Sequence, residues 1–112
     1  MKKDPLIYIG HILESIQAVK DHLDGLDQDA FLASIMAQDA VIRRLSVIGE
    51  AANRIDDDFK VLYPEIPWRE IIGMRNYLVH DYLATDLDIV WKTAVGHLPV
   101  FEKQLDQIMK NH

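Results

Sequence analysis

The segment from Leu87 to Ile108, LDIVWKTAVGHLPVFEKQLDQI, places apolar residues at 87, 91, 94, 98, 101, 105 and 108. Spacings of four and three residues alternate along it, which is the period of one helix face packed against other helices. Gly96 and Pro99 fall inside the run and predict a kink. The same period recurs upstream. Asp4 is a good N-cap, Pro5 suits a first helical position, and Leu6, Ile9, Leu13, Ile16 and Leu23 follow at helical spacing until Gly25. Asp27 starts a second element that carries Phe31 and then bends. A long helix follows from about Ser34 to near Ile55, with Ile35, Ile42, Leu45, Gly49 and Ala52 on its stripe and Gln38 interrupting it.

Asp56, Asp57 and Asp58 form a triple acid. Three carboxylates can bind a cation, but acids are also favoured at the start of a short helix, here over 57–62, and that reading is preferred. Pro64 and Pro67 stiffen the connector from Tyr63 to Trp68, and Pro67 opens a further helix running towards His80. No strand-like alternation or repeat occurs. The expected architecture is all-α, a small antiparallel helical bundle.

The 112 residues suit one domain, 1–112, and 49% hydrophobic content can build its core. Without cysteine, disulfides, thiolate metal sites and cysteine nucleophiles are excluded. A net charge of −6 argues against broad nucleic-acid coating, so any nucleic-acid chemistry must be local. Asp4, His11 and Glu14 break the early apolar run, and no stretch approaches a membrane span; the expectation is a cytoplasmic protein without a membrane partner.

Phosphate-binding glycine loops, HExxH, GxSxG and histidine pairs at metal-ligand spacing are all absent, so no metal site and no cofactor are expected. His11, His22, His97 and His112 read as surface or packing residues. Glu50, among the small residues Gly49, Ala51 and Ala52, reads as the hydrophilic edge of its helix in preference to a site residue. The small residues suit close packing within the chain or against a second copy.

Gly73 to Tyr82 stands apart, with Arg75, Asn76, His80 and Tyr82 inside ten residues. Arginine presents a planar donor fork to phosphate, and histidine exchanges a proton near neutral pH. RNA brings its own nucleophile, the 2′-hydroxyl, so these two groups suffice for phosphoryl transfer without metal. On a continuous helix, however, positions 75 and 80 point about 140° apart. They converge only if the helix ends near His80, if Arg75 swings its side chain round, or if a second copy completes the site. A two-fold dimer would also bring two copies of His80 together. All five arginines, at 43, 44, 54, 69 and 75, lie in the middle of the chain, which gives mild support to a local anion site. By itself R-x4-H is weak, since a capped, solvated helix end explains it equally well.

Several motifs in register say more. Ala40-Val41-Ile42-Arg43-Arg44-Leu45-Ser46-Val47-Ile48-Gly49-Glu50-Ala51-Ala52 is followed by Pro64-Glu65-Ile66-Pro67-Trp68. Ile71-Ile72-Gly73-Met74-Arg75-Asn76-Tyr77-Leu78-Val79-His80-Asp81-Tyr82 and Val90-Trp91 come next. Together, over about residues 4–108, they resemble the HepT family of HEPN-domain proteins. The resemblance implies a HEPN-type helical bundle that forms a two-fold homodimer with a composite cleft. It implies a metal-independent endoribonuclease, the toxin of a toxin–antitoxin pair, leaving 2′,3′-cyclic phosphate ends. The family's R-x4-H-x-Y motif falls on Arg75, His80 and Tyr82, with Asn76 as the polar residue that orients substrate. The implied partner is a small MntA-like nucleotidyltransferase that silences the nuclease by transferring AMP to Tyr82. Two other readings fit the residues: a non-catalytic module binding nucleotide or a partner through 75–82, and a purely structural helical dimer.

Overall fold

The computed structural model describes residues 4–80 and 86–112, and for residues 76–80 the backbone only. The described residues are helical, with turns between, and contain no strand. α1 spans Pro5–Leu23, α2 Gln28–Leu32, α3 Ile35–Arg54 and α4 Asp57–Lys60; α5 spans Trp68–His80, α6 Leu87–Lys92 and α7 Leu98–Lys110.

Local chemistry sets most of these ends. The Asp4 carboxylate accepts the Leu6 amide at 2.9 Å and Pro5 begins α1. The chain turns out of α1 through Gly25, whose φ of 78° suits a residue without a side chain. Asp27 caps α2, and Ser34 caps α3 through the Ala37 amide at 3.1 Å. Gln38, the break in the apolar stripe, donates its side-chain amide to the Phe31 and Leu32 carbonyls at 3.1 and 3.0 Å. It thereby serves the open C-terminal end of α2.

The core runs along the α1–α3 seam. Ile9, Ile12, Ile16 and Val19 of α1 meet Val41, Leu45 and Ile48 of α3, all buried. Phe31 completes this layer and packs its ring 5.5 Å from that of Trp91. Leu98, Phe101, Leu105 and Ile108 of α7 are buried in the same core.

The kink expected near Gly96 and Pro99 takes a particular form. Residues Thr93–His97 make a π-helical turn, in which the Leu98 amide donates to the Thr93 carbonyl five residues back. Pro99 has no amide to continue an α-helical ladder, and the wider turn absorbs that loss. The extra width also shifts the phase. Upstream of the turn the fully buried position is Val90, with Leu87 and Trp91 half-buried, so the expected stripe slips by one residue there.

Two bounds differ from expectation. α4 closes at Lys60 rather than 62. Pro67 sits just before α5, its carbonyl accepting the Ile71 amide, and Trp68 is the first helical residue. The connector is held by the Trp68 indole, which donates to the Tyr63 carbonyl at 3.2 Å and meets the Phe101 ring edge-on at 6.2 Å. No described helix is long and apolar enough to cross a membrane.

Candidate active site on the α3–α5 seam

α5 returns along α3 from the connector, and the seam between them is tight at Gly49. A Cβ built on Gly49 would lie 2.7 Å from the Arg75 Cβ and 3.0 Å from the Ile71 carbonyl oxygen. These are fixed parts of α5, so the space exists only because residue 49 has no side chain. The small residues of α3 therefore serve packing within the chain, with Ala52 fully buried beside them.

That close approach positions Arg75. Its guanidinium emerges from the seam about one-third exposed, and Nη1 lies 2.9 Å from the Glu50 Oε2. The other carboxylate oxygen of Glu50 accepts from Arg54 Nε at 3.1 Å. Glu50 thus joins arginines on two helices while standing at the half-exposed, hydrophilic edge of α3. Its signal in the sequence is its place beside Gly49, where the seam is tight. Exposed pairs of this kind contribute up to about 1 kcal/mol to stability, so the arrangement matters more for orientation than for holding the fold. Arg43, Arg44 and Arg69 are exposed and make no ion pair among the described residues.

The other members of the expected site are less fully seen. The backbone of α5 remains helical through Asn76 to His80, while the side chains of both lie outside the described residues, as does Tyr82 entirely. On this helix position 80 follows position 75 by about 7.5 Å of rise and 140° of rotation. Among the described residues the only expected site member with side-chain geometry is Arg75.

Other concave or charged features offer less. A groove on the α7 side of α5 is lined by Met74, Ile89, Val100 and Phe101. Its apolar walls and the nearby Glu65 and Glu70 carboxylates suit no phosphate. Asp57 and Asp58 stand in the first turn of α4, and no group of three His, Asp or Glu side chains among the described residues is placed to hold a metal ion. His112, read as a surface or packing residue, has its ring nitrogen 3.1 Å from the Tyr63 hydroxyl and packs near Phe59. His11 pairs loosely with Glu14 at 3.9 Å, and His97 is exposed.

Comparison with known proteins places this seam in context. The chain is 37% identical over 110 residues to a Methanocaldococcus jannaschii protein named "Gamma-glutamylcyclotransferase and putative RNase", and spans half the length of that relative. It is also 37% identical to "Probable ribonuclease HepT" of Thermococcus cleftensis, covering 98% of this chain and all of that one. No solved structure matches the chain. The family model described as ribonuclease HepT-like matches residues 12–108, a span that contains Gly49, Glu50, Arg75 and the whole R-x4-H-x-Y run. This chain belongs to the ribonuclease HepT-like family.

Proposed function

We propose that the chain is an endoribonuclease toxin, a single HEPN domain over 1–112 that works as a homodimer without a metal ion. The observation that carries this reading is the Arg75 guanidinium, held at the α3–α5 seam and open to solvent, in a chain of the HepT-like family.

In the proposed reaction a 2′-oxygen attacks the adjacent phosphorus and the 5′-oxygen of the next nucleotide leaves. His80 accepts the 2′-hydroxyl proton, and the leaving oxygen gains a proton from the second His80 of the dimer or from water. Arg75 offsets the charge that builds on the non-bridging oxygens. Asn76 orients the substrate. The products are a 2′,3′-cyclic phosphate and a 5′-hydroxyl. Regulation follows from Tyr82: an MntA-like nucleotidyltransferase transfers AMP from ATP to its hydroxyl and releases pyrophosphate. The added phosphodiester beside Arg75 and His80 then repels the RNA backbone.

The test is cleavage of a defined tRNA and mRNA mixture in EDTA, using protein whose intact mass shows Tyr82 unmodified. Fragments with cyclic phosphate ends, lost in His80→Ala while the dimer stays folded, are expected. Equal activity in that variant defeats the assignment. Stoichiometric binding without turnover favours the non-catalytic module.

A further inference from the structure

Arginine is a poor catalyst when its side chain is free. Its long stem samples many rotamers, and a guanidinium displaced by about 1 Å from a reacting phosphate loses on the order of 100-fold in rate. Arg75 is not free. The approach of Gly49 brings its stem against α3, and the next residue, Glu50, holds Nη1 at 2.9 Å. Glu50 is in turn fixed at its other oxygen by Arg54 Nε, 3.1 Å away on the same helix. We infer that Glu50 is the positioning residue of this site: it fixes the guanidinium of Arg75 from one side and leaves the remaining N–H groups for an RNA phosphate.

Two properties of the arrangement support a positioning role over a structural one. All three side chains are partly exposed, with Glu50 at 44% and Arg75 at 32%, so the pair adds little to folding. Among the described residues Glu50 is also the one partner of Arg75, so nothing else there would orient it.

The carboxylate has a second effect. As a negative charge beside an anion site it weakens ground-state attraction for RNA while improving geometry for the reaction. Removing the charge but keeping a hydrogen-bond acceptor should therefore move the two kinetic constants in distinctive ways. A purely structural role would not produce that signature.

This inference rests on the nuclease reading, and the experiment separates the two. RNA cleavage kinetics are measured for the parent protein, Glu50→Gln, Glu50→Ala, Arg75→Ala and the double variant Glu50→Ala/Arg75→Ala. Glu50→Ala should lower kcat by ~30- to 100-fold with unchanged melting. Glu50→Gln should recover part of kcat and lower KM by roughly twofold. In the Arg75→Ala background the Glu50 change should have no further effect. The Nη–Hη cross-peak of Arg75 in a 15N NMR spectrum should move towards that of free arginine in Glu50→Ala.

A Glu50→Ala protein with kcat and KM within twofold of the parent overturns the inference while leaving the nuclease reading intact. So does a loss that merely tracks the unfolded fraction, or an equal loss in the Arg75→Ala background. No cleavage by the parent, dimeric and unmodified, overturns the nuclease reading and the positioning role of Glu50 together. An unmoved cross-peak overturns the positioning contact whatever the activity.

Discussion

The two long seams of α3 are built on different rules. Against α1 it presents Val41, Leu45 and Ile48 to Ile9, Ile12, Ile16 and Val19, all buried and all apolar. Against α5 it presents Gly49, with Glu50 reaching across to Arg75. The first seam gains from filling space with large side chains, the second from omitting one so that α5 can fill its place. Large side chains hold the bundle together; the missing one lets a charged side chain be placed accurately at its surface. Stability and function should thus be separable on two neighbouring faces of one helix.

The strongest way to break this contrast is to carve into the first seam. Ile12→Ala removes a fully buried side chain and should cost about 2–5 kcal/mol. Thermal denaturation should show Tm falling by more than about 10 °C, yet cleavage per folded molecule should hold. Loss of specific activity in the folded fraction would erase the distinction between the seams.

Gly49→Ala attacks the second seam. Its Cβ meets α5 backbone and the Arg75 Cβ at 2.7–3.0 Å, so the helices must separate, at about 1–3 kcal/mol. Better helix propensity returns up to about 1 kcal/mol of this. The net stability loss should be smaller than for Ile12→Ala and the loss of RNA cleavage much larger. Denaturation and kinetics on the same sample decide it.

Smaller effects sharpen the picture away from both seams. Gln38→Ala strips the amide from the Phe31 and Leu32 carbonyls and should cost about 0.5–1.5 kcal/mol in urea denaturation. Lys20→Ala breaks an exposed pair with Glu102 that ties α1 to α7. It should cost under about 1 kcal/mol, with the difference shrinking as salt is added.

Much of the fold was legible because its signals are local. Asp4 with Pro5, Ser34 and Gly25 mark ends through groups a few residues apart, and the apolar period needs only its own helix. Gln38 and Pro99 were legible as interruptions, but what each does depends on a neighbour: the carbonyls of α2 for one, the π turn for the other. The site divides the same way. Arg75 stood out by residue type and spacing. Its partner Glu50 lies on another helix, and the distance between them is set by a docking geometry that no helical period encodes.

Gly49 has a consequence for genetics. Every codon change that replaces glycine with another amino acid adds at least a Cβ, and here even a methyl group collides with α5. On the toxin reading proposed above, selection for cells that survive an active form of this protein should enrich missense changes at position 49 of many chemical kinds, small and large alike. At a neighbour such as Val47, half-buried on the same helix, conservative replacements should pass unnoticed. Sequencing such survivors would map the seam without a single purified protein.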